Sequence, residues 1–314
     1  MRKQPISLEW EAALSTKTTL TDPPARSYLF APATSERKLD KALAGDADAV
    51  IADLEDAVAV TEKPLARRLV AARLQERPSR PLFVRVNDLS TPFATDDIEA
   101  AASPHLAGIV LPKTESAADI ATADWFLTQV ERRLGLPPGA IRIIPIIETA
   151  VGLAEARAIA AASARLHSLA FGMVDLAADM SLDLSDDDGA IQSARFMVAL
   201  ASRAAGLPGP IDTAFIDIQD LERLRRSSLQ ARRMGFAGKS CIHPAQVPVV
   251  NEAFAPTKEE LDRAARIVAA FREAEARGVA ALTIDGVMID YPVVTRAQRM
   301  LALAGRAGPE NEGT

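Results

Sequence analysis

The sequence predicts an α/β protein whose main body is a (β/α)8 barrel, with an N-terminal extension before it and a helical, lid-like segment after it. Three observations carry this reading. First, eight short apolar runs alternate with helical stretches: SYLFAP, AVIADLED, LFVRVN, GIVLPK, RIIPIIET, SLAFGMVD, PIDTAF and KSCIHP. Second, most of these runs are rich in Val, Ile, Leu and Phe without strict polar alternation, which is how strands buried on both faces read. Third, the turn after the first run, APATSERK, has no glycine. An open doubly wound sheet would want a glycine-rich phosphate turn there, so a closed barrel is the better fit.

Taken in order, residues 1–25 have no clear period and contain Asp22-Pro23-Pro24, so they read as an extension leading into the first strand. Residues 26–255 hold the eight alternations, with segments such as KPLARRLVAARLQ and SARFMVALASRAAG at helical spacing. Residues 256–314 begin with a charged helix, KEELDRAARIVAAFREAEARG. ALTIDGVMIDYP follows, in which Asp285-Gly286 reads as a turn, then a last helix, VVTRAQRMLALAG. The tail GPENEGT is expected to be disordered.

Composition narrows the function. Hydrophobic residues make up 48% and charged ones 25% of the 314 residues, the balance of a soluble globular protein. A net charge of −6 gives no reason to expect nucleic acid or an anionic membrane as partner. No apolar run approaches the roughly 20 residues of a membrane helix, and the first residues lack the apolar stretch of a signal peptide. A cytoplasmic protein is therefore expected. Cys241 is the only cysteine, which excludes an internal disulfide and a cysteine-based metal site.

The polar residues are informative by position. In barrel enzymes the C-terminal strand ends and the loops after them build the active site. The second run here ends on Asp53, Glu55 and Asp56, the third on Arg85 and Asn87, and the fourth on Lys113 and Glu115. The fifth ends on Glu148 and Thr149, the sixth on Asp175, the seventh near Asp217 and the eighth on His243. Strand ends meet water, so any one of these has an ordinary surface explanation. That explanation weakens for Glu148, which follows RIIPII with no turn residue between, and for Arg85, which sits between Val84 and Val86. Carboxylates around a few cations on one rim suit a hard metal ion: Mg²⁺ first, Mn²⁺ second. His243-Pro244 reads as a loop-positioning pair, and His105 and His167 as surface or packing residues.

These segments resemble a known family. RSYLFAP, AVIADLEDAV followed by KPLAR, VRVN with a downstream TP, VLPKTE, IIETAVGL, FGMVDLAADM, AAGLPGPID and GFAGKSCIHPAQV occur in order from about Arg26 to Tyr291. Together they are similar to the citrate lyase β-subunit-like family, which includes malyl-CoA, citramalyl-CoA and citryl lyases. The resemblance implies a TIM barrel, Mg²⁺, an acyl-thioester substrate, reversible Claisen-type carbon–carbon cleavage and a trimer. It also implies roles for particular residues. Glu148 and Asp175 match the metal ligands, and Arg85 the arginine that binds substrate oxygens. Glu55 and Asp56 match acids that hold metal-bound waters and that arginine. Arg26, Phe30 and Lys38 lie where the family binds its thioester carrier. Asp290 matches an aspartate that reaches a neighbouring subunit's active site. The sequence departs from the family at Ser181, where glycine is frequent, and in the glycine-free APATSERK turn.

The chemistry so implied is cleavage of a 3-hydroxyacyl thioester to a 2-oxo acid and an acyl thioester. Arg85 would stabilise developing oxyanion charge, and Asp290 would serve as base in the condensing direction. Asp290 also reads as a helix N-cap before VVTRAQRML. Two alternatives stay open: an Mg²⁺-dependent aldolase of free 2-oxo acids, and a lyase-complex subunit that takes its thioester from an acyl-carrier protein.

Overall fold

A computed structural model describes residues 25–183 and 189–306. The N-terminal extension, the tail and part of the acidic SLDLSDDDGAIQ loop lie outside the described residues. What is described forms two compact units, one ending at Phe254 and one beginning at Ala255.

In the first unit, eight parallel strands close in sequence order into a barrel. The strands are β1 (Ser27–Pro32), β2 (Ala49–Asp53), β3 (Leu82–Arg85), β4 (Gly108–Leu111), β5 (Arg142–Ile147), β6 (Ala170–Phe171), β7 (Ile211–Asp212) and β8 (Gly238–Cys241). The helices around them are α1 (Glu36–Leu43), α2 (Lys63–Arg73), α3 (Ala94–Ala101), α4 (Ala117–Leu134), α5 (Ala150–Ala154), α6 (Ala156–Ala160), α7 (Met173–Asp179), α8 (Gly189–Ala204), α9 (Leu221–Arg233) and α10 (Gln246–Phe254). The sequence sets the helix boundaries. Ser116 and Asp119 make a reciprocal capping box at the start of α4, and Gly135 ends it with φ of 69°.

Alternation along the strands sorts the side chains into two cores. Tyr28, Ile51, Phe83, Val110, Ile144, Ile146, Ala170 and Ile211 pack together inside the barrel. The intervening residues, such as Val50, Val84, Ile143 and Ile147, pack outward against the helices. Two residues beyond an inward-facing one, the chain points inward again. That step carries Ile51 to Asp53, Phe83 to Arg85, Ile146 to Glu148, Ala170 to Gly172 and Ile211 to Thr213. Each lies at or just past the C-terminal end of its strand. The apolar interior thus delivers one ring of polar residues to one rim.

The second unit holds α11 (Lys258–Ala276), a hairpin of β9 (Leu282–Ile284) and β10 (Val287–Ile289), and α12 (Tyr291–Arg306). The sequence signals two helices here and a turn at Asp285-Gly286, which takes φ values of 51° and 76°. The hairpin strands are three residues each, too short for a pattern of their own. Ala264, Ile267, Phe271, Ile289 and Val294 form this unit's own core. Among the described residues, no helix is long and apolar enough to cross a membrane.

Candidate active site

The strand register builds the site. Asp53 on β2 pairs directly with Arg85 on β3, so the two inward-facing side chains stand side by side. The Asp53 carboxylate grips the guanidinium through two parallel hydrogen bonds, from Nε at 2.8 Å and from Nη2 at 2.6 Å. The same carboxylate accepts the amides of Glu55 at 2.9 Å and Ala57 at 3.2 Å, which turns the loop after β2 back over the rim. That turn brings Glu55 to 2.8 Å and Asp56 to 3.2 Å from Arg85 Nη1. Phe30 of β1 closes the remaining side, its ring 5.1 Å from the guanidinium carbon. Three carboxylates hold Arg85 protonated against the cost of its burial.

Lys113 follows β4 in a left-handed conformation, φ 46°, which a lysine adopts only at a cost. The conformation aims its backbone N–H at Glu148 Oε1, 2.8 Å away, and its ammonium at Glu55 Oε1, 2.7 Å away. Burial of Lys113 disfavours its charge, but the hydrogen bond and charge of Glu55 outweigh this and raise its pKa. Glu55 is raised as well, by its own burial, with Arg85 and Lys113 acting the other way.

Glu148 directly follows β5 and is only 3% exposed. Its carboxyl is pushed up to about 8, first by burial and then by the charges of Asp175 and Glu55, with the Lys113 amide and Arg85 opposing. The opposite wall of its cradle is Gly172. A Cβ there would stand 2.5 Å from Glu148 Oε2 and 2.6 Å from Glu148 Cβ. Asp175 lies beyond β6, in the first turn of α7, where the helix N-terminus favours a negative charge. An opening lined by Phe30, Arg85, Glu148, Asp175, Thr213 and Ser240 faces the barrel axis.

The donor set suits a divalent cation. Five carboxylates, those of Asp53, Glu55, Asp56, Glu148 and Asp175, share this rim with two cations, Arg85 and Lys113. Arg85 and Lys113 answer the first three. Glu148 and Asp175 are left facing the opening, and a buried carboxylate without a cation is costly. Among the described residues, no three His, Cys, Asp or Glu side chains converge on one point. A cation at Glu148 and Asp175 would take its remaining oxygens from substrate and water, as Mg²⁺ commonly does.

Not every residue expected from the sequence gathers here. Arg26 precedes β1 and so lies at the N-terminal rim, away from the strand ends that carry Arg85 and Glu148. It forks onto Asp48, with Nε to Oδ2 at 2.8 Å and Nη2 to Oδ1 at 3.1 Å, tying the start of β1 to the start of β2. This corrects its reading as a carrier-binding residue. Phe30 underlies Arg85, while Lys38 is exposed in the first turn of α1. Asp217 is an exposed turn residue accepting the amides of Gln219 and Asp220. His243 Nδ1 accepts the amide of Ala245, and half-buried His167 packs on Phe83 at the barrel's other end, beside the Tyr28 hydroxyl. Asp290 belongs to the second unit, where its carboxylate accepts the Val293 amide at 3.4 Å as a cap of α12. Three residues of the site carry no clear sequence mark of their role: Asp53 as the clamp on Arg85, Lys113 as the scaffold of Glu148, and Gly172 as the wall beside it.

A closed parallel barrel with a caged arginine and two unanswered acids at its strand C-termini has the layout of a barrel enzyme. Residues 26–244 match the family described as HpcH/HpaI aldolase/citrate lyase, and residues 197–306 match the C–C bond lyase of the TIM-barrel fold. The chain belongs to the HpcH/HpaI aldolase/citrate lyase family, a family of carbon–carbon lyases. It is 37% identical over 281 residues to the citrate lyase subunit beta of Leuconostoc mesenteroides subsp. cremoris, covering 89% of this chain and 93% of the relative. It is 38% identical over 283 residues to a (3S)-malyl-CoA thioesterase of Cereibacter sphaeroides, covering 90% and 95%. Among solved structures it resembles the protein CitE of Mycobacterium tuberculosis in complex with magnesium, acetoacetate and coenzyme A. That match has a TM-score of 0.75 and 34% identity, over 90% of this chain and 98% of the other.

Proposed function

We propose that this protein is an Mg²⁺-dependent lyase that cleaves a 3-hydroxyacyl thioester bearing a carboxylate, of the malyl-, citramalyl- or citryl-CoA type. The products are a 2-oxo acid and an acyl thioester, by reversible Claisen-type chemistry. The observation that carries this is the buried Glu148 carboxylate, which faces Asp175 and the opening with no ion-pair partner among the described residues. Magnesium with acetoacetate and coenzyme A in the CitE relative supports it.

Glu148 and Asp175 would hold the cation, which when bound polarises the oxo-acid carbonyl as a Lewis acid. The chain's own residues do the rest. Arg85, fixed by the Asp53 fork, presents positive charge where oxyanion charge develops, and its fork geometry matches a carboxylate. Glu55 and Asp56 keep that guanidinium in place and screen it from bulk water. The apolar wall of Phe30, Ile146 and Phe171 lowers the local dielectric and strengthens these interactions. Asp290 serves as the base that removes the thioester's α-proton in the condensing direction and returns it in cleavage. It is supplied by a neighbouring copy in a trimer. Co-assembly tests that supply: Asp290→Ala and Glu148→Ala proteins, each inactive, regain activity when mixed into hetero-oligomers. Hetero-oligomers without activity would contradict it.

The reaction is tested on a substrate panel. Malyl-, citramalyl- and citryl-CoA are expected to release a 2-oxo acid in the presence of Mg²⁺, and free 4-hydroxy-2-oxo acids to react at least tenfold more slowly. Release of coenzyme A thiol is read alongside, because one relative is a thioesterase. Faster turnover of the free acids would replace this reading with a thioester-independent aldolase. Because another relative is a subunit of citrate lyase, an acyl-carrier-protein thioester belongs in the same panel.

A further inference from the structure

Lys63 is 5% exposed and lies outside the opening described above. It begins α2, next to Pro64, which fits the first turn. A cation at a helix N-terminus opposes the helix dipole, so α2 itself gains nothing from this lysine. Its ammonium instead donates three hydrogen bonds, to Leu54 O at 2.8 Å, Glu55 O at 3.2 Å and Asn87 Oδ1 at 2.7 Å, and lies 5.5 Å from the Phe93 ring centroid. The Asn87 amide also donates to Leu54 O at 3.0 Å, and the Asn87 backbone N–H donates to Asp97 at 2.9 Å. Asp97 in turn accepts Arg67 Nε at 2.6 Å. A buried chain of polar groups therefore runs from α2 and α3 to the carbonyls of the loop whose side chains, Glu55 and Asp56, grip Arg85.

We infer that Lys63 is a positioning residue for the lyase reaction: it pins the backbone at Leu54 and Glu55 so that Glu55 and Asp56 hold Arg85 in its working orientation. This rests on the function proposed above. An ammonium suits the task. It has three donors and no acceptor, and it meets two carbonyls of the loop and the amide oxygen of Asn87 at once. A neutral side chain of similar length leaves Leu54 O with the Asn87 amide alone and Glu55 O with the Val58 N–H alone, at 3.1 Å, and the turn over the rim loses the one cation that ties the two carbonyls together.

Two measurements on the full-length protein test this, with Lys63→Met, Arg85→Lys and the double variant. Hydrogen exchange is expected to show amides 54–59 at least tenfold less protected in Lys63→Met, while amides 143–148 of β5 and Glu148 stay within threefold of wild type. In the thioester assay with Mg²⁺, each single change is expected to lower kcat/KM at least tenfold. The double variant is expected to fall within threefold of Arg85→Lys alone, because both changes break one device. Unchanged protection of amides 54–59 would overturn the inference, as would losses that multiply in the double variant. Should Lys63→Met fail to fold, Lys63→Gln, which keeps an N–H donor without the charge, carries the same measurements. A wild type without lyase activity would defeat the proposed function, and the exchange measurement would still decide what Lys63 does.

Discussion

Glu148→Gln is expected to lower kcat/KM at least about a thousandfold, roughly 4 kcal/mol of transition-state stabilisation. The substitution keeps the volume and one carbonyl oxygen for the Lys113 amide, but removes the charge that would hold a cation beside Asp175. The same change has an opposite effect on the metal-free fold. Burial, together with Asp175 and Glu55, raises the Glu148 carboxyl from an ordinary 4.5 to about 8. Between those two values the folded metal-free protein keeps a proton that the unfolded chain has lost. Its stability therefore falls as pH rises through this window and levels off above it. In EDTA at pH 8, Glu148→Gln is expected to melt above wild type, and the two melting curves converge near pH 4. Saturating Mg²⁺ reverses the order, because it stabilises only the protein that binds it. Thermal melts at the two pH values, with and without Mg²⁺, check all of this. A variant no more stable than wild type in EDTA at pH 8 would mean that the buried charge is compensated within the chain.

The second large effect is expected at a residue with no side chain. Gly172→Ala places a methyl group 2.5 Å from Glu148 Oε2 and 2.6 Å from Glu148 Cβ, with Ile146 Cγ2 at 3.1 Å. Real Cβ atoms do not come so close, and the Glu148 Cβ is too near its backbone to swing away. Either Glu148 leaves its rotamer or β5 and β6 separate locally, although Gly172 N donates to Ile147 O at 3.0 Å. Mg²⁺ affinity is expected to fall at least about 100-fold, ~2.7 kcal/mol, with far-UV circular dichroism unchanged. Wild-type affinity in Gly172→Ala would show that Glu148 is not held in this cradle when it works.

The barrel was legible because its signals are local and repeated. Buried parallel strands leave continuous apolar runs, and eight of them in alternation with helices admit few topologies. Arg85 and Glu148 were legible for a related reason: a charge against an apolar run is expensive without a partner. What the sequence hid depended on register. Nothing in AVIADLED says which of its three acids takes Arg85 in a two-bond fork and which two close over Nη1. Only the β2–β3 pairing of Asp53 with Arg85 decides that. Strand alternation alone carries part of the signal, since Asp53 stands two residues past the inward-facing Ile51. Gly172 was hidden because its use lies in the side chain of another strand. Lys113 was hidden because a left-handed lysine has no sequence mark of its own. Arg26 could have been placed correctly: a residue before the first strand of a parallel barrel faces the rim opposite the chemistry. Asp175 sits on a helix, not a strand, because β6 ends at Phe171 and the acid suits the α7 N-terminus. The hairpin of the second unit went unread because three-residue strands show no alternation.

The central claim is that Glu148 and Asp175 together form one cation site at the barrel mouth. Calorimetric titration of metal-free protein with Mg²⁺ in the presence of a 2-oxo acid tests it most directly, with wild type, Glu148→Gln and Asp175→Asn compared. One Mg²⁺ per chain is expected for wild type, with affinity reduced at least about 100-fold, ~2.7 kcal/mol, in each variant. Wild-type affinity in both variants would contradict the account.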